Sequence, residues 1–271
     1  MTYKTILLHA DEGEGSGRLV AAAASVARRF GATLAGVGAV PMEAYVDAVV
    51  AEPQRDPMEW VDVDIGRRLA AAEDAFRRAA DGVPVLWFGE AAYPDEAVAA
   101  HACAADLLVA PRPAGWCDLR KTVKPGDLLM SVGLPVLAVP PKAKPFAGEV
   151  VLVAWKRTRE AERAISAALP FLRHAEDVAV VSAAEKGAVD RDADIEAVLG
   201  RLLRHGVAAR RLDPPAFDGP TGAVLVKTAE RIGADLIVSG AYGRSRALEW
   251  AFGGVTQHLL EHAPQFVLFS R

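Results

Sequence analysis

The stretch Gly233-Ala234-Asp235-Leu236-Ile237-Val238-Ser239-Gly240-Ala241-Tyr242-Gly243 decides the fold. Asp235 to Ser239 is a short apolar run that ends on glycine, the pattern of a buried strand emptying into a tight loop. Gly240 and Gly243 let a backbone turn sharply and approach a ligand with no Cβ in the way. Further on, Gly253 and Gly254 lead into Val255-Thr256-Gln257-His258-Leu259-Leu260-Glu261-His262, a helix candidate. Free amides at such a helix start form an anion site, so the stretch proposes a phosphate-binding loop.

Working outward, the words of this stretch occur twice. Ala105-Asp106-Leu107-Leu108-Val109 answers Ala234-Asp235-Leu236-Ile237-Val238, and the run Arg77 to Val83 answers Arg201 to Val207, each closing on Gly-Val. Pro135 to Val139 answers Phe266 to Ser270. In the first half, strands are expected at Lys4 to Ala10, Thr33 to Val40, Val83 to Phe88, Asp106 to Val109 and Leu134 to Val139. Between them lie helices: one after Ser16 as N-cap with Gly31 as C-cap, one from Trp60 to Ala80, and one opened by Pro94. Pro41 to Pro57 reads as a surface excursion, and Pro140 to Gly148 as a proline-stiffened linker. The order then restarts, with strands at Glu149 to Trp155, Asp177 to Ser182, Gly206 to Leu212, Asp235 to Ser239 and Gln265 to Phe269. Its helices are capped by Thr158, with Pro170 inside, and run over Asp194 to His205 and Pro220 to Ile232.

A repeat of this length is a duplicated domain. The expected fold is α/β: two doubly wound, Rossmann-like domains spanning 1–145 and 146–271, each a five-stranded parallel sheet with helices on both faces. Ligands of such sheets sit at the carboxyl ends of the strands.

Composition narrows the function. The 271 residues are 52% hydrophobic and 24% charged with a net charge of −4, which disfavours a general nucleic-acid binder. No apolar run reaches the ~20 residues of a membrane span. Met1-Thr2-Tyr3-Lys4 leads straight into a strand, so no signal peptide is expected and the location expected is cytoplasmic. Cys103 reads as a small core residue, and Cys117, beside Trp116 in a Pro/Gly-rich loop, as ordinary packing with exposure and redox sensitivity as the alternative. His258 and His262 share a helix face in an H-x-x-E-H pattern, but with no third ligand evident no metal site is expected. No nucleophile elbow, triad or paired-carboxylate set stands out, so no catalytic residues are assigned.

The chain resembles a tandem universal stress protein from end to end. Nucleotide-binding members of that family carry G-x2-G-x9-G-[S/T]. Gly240, Gly243 and Gly253 match that spacing, while Gly254 stands at the Ser/Thr position and Thr256 where a second hydroxyl often contacts phosphate. Those members also end their first strand in an aspartate that helps hold the adenosine. The second half has Lys156 there, after Ala154-Trp155; the first half keeps Asp11 but has Pro111 and Ala114 opposite Gly240 and Gly243.

The resemblance therefore implies a degenerate first site and a second site formed by Ala154, Trp155, Lys156, Val180, Gly240, Gly243, Arg244, Gly253, Gly254 and Thr256. ATP or ADP is the implied ligand, with Mg accompanying the nucleotide. A hydrogen bond to a charged group contributes about 1.5–3 kcal/mol, so loss of the aspartate weakens adenosine binding roughly ten- to hundred-fold. Lys156 offsets part of this by attracting phosphate. Trp155 either covers a bound base or fills the core. The implied role is stress response or regulation, with a slow ATPase and a ligand-free protein-interaction module as rivals. Partners are an adenine nucleotide and an unidentified protein. Family members pair through their last strands, so Pro135 to Val139 and Phe266 to Ser270 are expected to pair as a pseudo-dimer within one chain, with a further homodimer possible.

Overall fold

The computed structural model describes residues 2–42, 57–112, 122–182, 191–215, 219–243 and 254–271. By contact the chain divides into two compact units, Tyr3–Leu134 and Pro135–Arg271.

In the first unit, β1 (Thr5–His9), α1 (Glu14–Phe30), β2 (Thr33–Ala39), α2 (Pro57–Ala80), β3 (Val85–Glu90), α3 (Pro94–His101), β4 (Leu107–Pro111) and α4 (Pro125–Ser131) follow in order. The strands are parallel, in the order β3-β2-β1-β4. Ile6, Leu7, Leu8, Leu107 and Leu108 are buried in its centre. Gly36 and Gly38 lie on one face of β2, and a Cβ on either would fall within 2.9 Å of the Phe76 or Trp87 ring. Those two rings pack 5.4 Å apart, so the glycines let α2 and β3 seat large aromatics against the sheet.

Gly31 closes α1 at φ 59°, as expected, but the helix begins at Glu14 with Gly13 as N-cap. Ser16 is therefore not the cap; its Oγ accepts the Asp11 N–H at 2.9 Å, inside the first turn. Cys103, expected in the core, is exposed, in a short 3-10 turn at Ala102–Ala104 that follows α3. Cys117 lies outside the described residues.

The second unit runs β5 (Val136–Val139), β6 (Val150–Trp155), α5 (Arg159–Leu172), β7 (Asp177–Ser182), α6 (Arg191–Arg204), β8 (Ala209–Arg211), α7 (Thr221–Arg231), β9 (Leu236–Gly240), α8 (Val255–His262) and β10 (Phe266–Ser270). Pairings give the order β5-β10-β9-β6-β7-β8, parallel throughout except that β10 and β5 run antiparallel. The expected edge-to-edge pairing of the two last strands is thus formed, with Leu268 opposite Leu137. It also draws β5 into the unit of Pro135–Arg271, so contact divides the chain earlier than the linker near residue 145.

That linker is anchored. Phe146 is buried and meets Phe171 and Phe266 edge-on at 5.2 Å, while Gly148 at φ 61° turns the chain beneath it. Pro170 is buried in α5, which ends two residues later. β8 is only three residues long, and its Arg210 holds Asp177 of β7 through two hydrogen bonds of 2.9 and 2.6 Å.

The repeated words do the same work in both units. Asp106 accepts the Lys4 N–H at 2.7 Å through Oδ2, and Asp235 accepts the Glu149 N–H at 2.9 Å through its own Oδ2. Each aspartate thereby ties the start of its strand to the start of β1 or β6. Gly82 and Gly206 adopt φ 76° and 78°, the left-handed turn that ends α2 and α6.

Candidate functional site

At the carboxyl edge of the second unit, β9 lies between β6 and β10 and ends on Gly240. A Cβ on Gly240 would stand 2.7 Å from the Ala161 amide nitrogen and 2.8 Å from the Glu160 carbonyl carbon. The first turn of α5 therefore packs directly on this backbone. At Gly240, which the sequence assigns to a phosphate loop, close packing of a helix also requires the missing Cβ. Gly243 is exposed, and a Cβ there would make only ordinary contact, 3.5 Å from Glu160 Oε2.

The loop between the glycines is held from two sides. The Ala241 N–H donates to the Ser270 carbonyl at 2.9 Å, and the Tyr242 N–H donates to Thr256 Oγ1 at 3.1 Å. Tyr242 takes a left-handed φ of 52°, which that second bond helps to fix. Thr256, expected to contact phosphate, is buried in the first turn of α8, where its Oγ1 holds the loop. Gly254 is the N-cap of α8 and brings no side-chain hydrogen bond.

Across from the loop, β6 delivers Ala154, Trp155 and Lys156. The register places Ala154 opposite Ser239, so Trp155 falls level with Gly240. Trp155 is 5% exposed, and its indole Nε1 has no hydrogen-bond partner among the described residues. Lys156 is half-buried, and its carbonyl accepts the Thr158 N–H at 2.7 Å. Thr158 caps α5 as expected, its Oγ1 accepting from the Ala161 N–H at 3.3 Å.

Two residues beyond the cap, Glu160 is buried with its Oε1 bound to the Arg159 Nε at 2.7 Å and its Oε2 toward Gly243. Burial opposes its charge. Hydrogen bonds from Arg159, from its own backbone and from Thr158 outweigh that, and the carboxyl is held below the usual range. Val180 is buried inside β7 opposite Val153. Arg244 and Gly253 lie outside the described residues. Sequence reasoning missed Glu160: an acidic residue in a first turn is ordinary helix-dipole chemistry, and nothing in the pattern announces that this one is buried.

The corresponding edge of the first unit is different. Asp11 is engaged locally, its Oδ1 accepting the Gly13 N–H at 2.7 Å. β4 ends on Pro111, and Arg112 beside it is buried, which lowers its guanidinium pKa to about 10. His9, at the end of β1, is 5% exposed, and burial lowers its pKa against an opposing pull from Asp11. A proline and a buried arginine thus stand where the second unit has Gly240 and Ala241; Ala114 lies outside the described residues.

The Universal stress protein family signature matches residues 149–271, the span of β6 to β10 with its glycine loop. The second half belongs to the universal stress protein family. Across the whole chain, a universal stress protein from Archaeoglobus fulgidus DSM 4304 superposes with a TM-score of 0.71 at 14% identity, over 98% of this chain and 96% of that one. A putative universal stress protein from Pseudomonas aeruginosa UCBPP-PA14 gives 0.60 at 17%, over 99% and 93%. A functionally unknown protein from Pseudomonas aeruginosa PAO1 gives 0.60 at 16%, over 99% and 92%. At such identities the likeness shows the fold, and that fold is a tandem of two universal stress protein units. No curated protein sequence matches the chain.

Set against a nucleotide, this universal stress protein site fits in part. The buried indole N–H of Trp155 and the half-buried Lys156 stand at the end of β6, a donor and a cation suited to a nucleoside and to some negative charge. The phosphate side fits less well: the Ala241 and Tyr242 amides are engaged, and a carboxylate faces Gly243. Among the described residues, no group of three or more His, Cys, Asp or Glu could hold a metal ion. The His258 and His262 rings simply stack, 4.4 Å apart. No helix among the described residues is long and apolar enough to cross a membrane.

Proposed function

We propose that this protein is a cytoplasmic regulator of a stress response whose second half holds an adenine nucleotide or nucleoside, as a ligand rather than a fast-turnover substrate. The site lies at the carboxyl ends of β6 and β9, with Trp155, Lys156 and the Gly240–Gly243 loop as its walls. The observation that carries this reading is the buried, unpartnered indole N–H of Trp155, level with Gly240. An unsatisfied buried donor costs about 1–3 kcal/mol, and a ligand acceptor recovers it. The first half contributes structure, and its Pro111–Arg112 edge leaves the second half as the ligand site.

Calorimetry and thermal melting of the full chain with ATP, ADP, AMP and adenosine test the reading. Binding by at least one of them, weakened about three- to tenfold in Trp155→Phe by loss of one hydrogen bond, supports it. Ligand at a hundred times its Kd stabilises the fold by about 2.7 kcal/mol, a readily measured shift in Tm. A second reading, a protein-interaction module without ligand, is favoured by the engaged loop amides. No heat and no shift at millimolar ligand would select it.

A further inference from the structure

We propose that Glu160 sets the charge of the ligand that the second-half site accepts, selecting a neutral nucleoside or a nucleoside monophosphate over a nucleoside triphosphate. This rests on the reading that an adenine nucleotide or nucleoside binds there. Three observations carry it.

The first is position. Gly240 brings the first turn of α5 onto the loop, with the Ala161 amide 2.7 Å from where a Cβ would be, and this delivers the Glu160 carboxylate to Gly243, Oε2 lying 3.5 Å from the Cβ position there. The helix cannot withdraw from the loop without losing that packing. Glu160 is thus a fixed wall of the site.

The second is charge. The Glu160 side chain is 5% exposed and ionised, its hydrogen bonds holding its pKa low. Arg159 meets Oε1 from the solvent side with its own side chain 78% exposed, leaving Oε2 on the loop side. Among the described residues, the Glu160 carboxylate is the charged group brought to Gly243, so a phosphate seated on that glycine meets a fixed negative charge. Each further phosphate charge placed there adds to that repulsion, which a neutral nucleoside avoids.

The third is hydrogen bonding. The Ala241 and Tyr242 amides, which would otherwise face a phosphate chain, donate to Ser270 and Thr256. What the site offers a ligand is the reverse: a carboxylate oxygen that accepts from hydroxyl or amino groups, and the Trp155 N–H that donates to a ring nitrogen or carbonyl. Those are the complements of a ribose diol and a base.

The test is calorimetric titration of the full chain, wild type and Glu160→Gln, with adenosine, AMP and ATP at one ionic strength. In the wild type, adenosine and AMP are expected to bind at least about tenfold more tightly than ATP, the size of one poorly screened like-charge contact. That ranking tests the proposal even if the variant does not fold. In Glu160→Gln, of nearly the same shape, ATP is expected to gain about tenfold while adenosine weakens, so that the preference disappears. Wild-type protein that binds ATP as tightly as AMP, or a preference that survives in Glu160→Gln, overturns the proposal and leaves the nucleotide reading standing. Failure of all three ligands to bind overturns both.

Discussion

At the scale of single residues, one glycine and one histidine show how a side chain's meaning depends on what packs against it. Gly240 reads in sequence as the first glycine of a phosphate motif, yet its missing Cβ makes room for backbone atoms of α5 at 2.7 and 2.8 Å. Gly240→Ala is therefore expected to destabilise the protein by about 1–3 kcal/mol, since neither backbone nor helix can yield cheaply. A denaturant titration measures it; a variant with wild-type midpoint would show that the loop, not the helix, needs the glycine. His9 is buried at the end of β1 with its Nε2 unpartnered among the described residues and its pKa lowered, chiefly by burial. Above the unfolded value of about 6.5 both states are neutral at this site, and the contribution of His9 to stability is fully present. As pH falls below that value the unfolded chain takes up a proton first, and stability is lost at up to about 1.4 kcal/mol per pH unit until the folded pKa is reached. Denaturant titrations between pH 5 and 7.5 should show this slope in the wild type and a shallower one in His9→Phe.

At the scale of elements, the repeated Ala-Asp-Leu words were visible as repetition long before their purpose was. Strands β4 and β9 read as strands because they are short apolar runs, and their aspartates read as punctuation. The structure shows a clamp: Asp106 on the Lys4 and Thr5 amides, and Asp235 on the Glu149 amide. The partners are 102 and 86 residues away in sequence, so no local pattern could name them. Asp106→Ala and Asp235→Ala should each cost about 0.5–1.5 kcal/mol, the worth of an exposed backbone-to-side-chain bond. Hydrogen exchange at Lys4 and at Glu149 should accelerate in the respective variants; unchanged protection would mean the clamps are incidental. Helix ends were legible where the signal is local, as at Gly31 and Thr158. The start of α1 was not, because Ser16 serves the Asp11 amide while Gly13 takes the cap position.

At the scale of the whole molecule, the pairing of β5 with β10 decides which residues form a compact unit. β5 is encoded as the last strand of the first repeat, but its antiparallel ladder to β10 places Pro135 onward with the second. Ala138→Pro places a residue with no N–H and a fixed φ in the middle of β5, opposite Val267, and loosens its ladder to β10. It is expected to destabilise the protein by about 1–3 kcal/mol for the unpaired backbone groups, and to promote self-association through the freed edge. Light scattering beside a denaturant titration would check both effects; a stable variant without association would show that the pairing carries little. The sequence by itself determined the α/β class, the duplication, the family of the second half and the loss of the glycine loop from the first, because periodicity, turn chemistry and motif spacing are local properties of the chain. Tertiary structure alone decided that Thr256 holds the loop, that Gly240 serves a helix and that a buried Glu160 faces Gly243. Those contacts join segments brought together only when α5 and α8 pack at the end of β9, and burial, which gives each its energy, is written in no single stretch of residues.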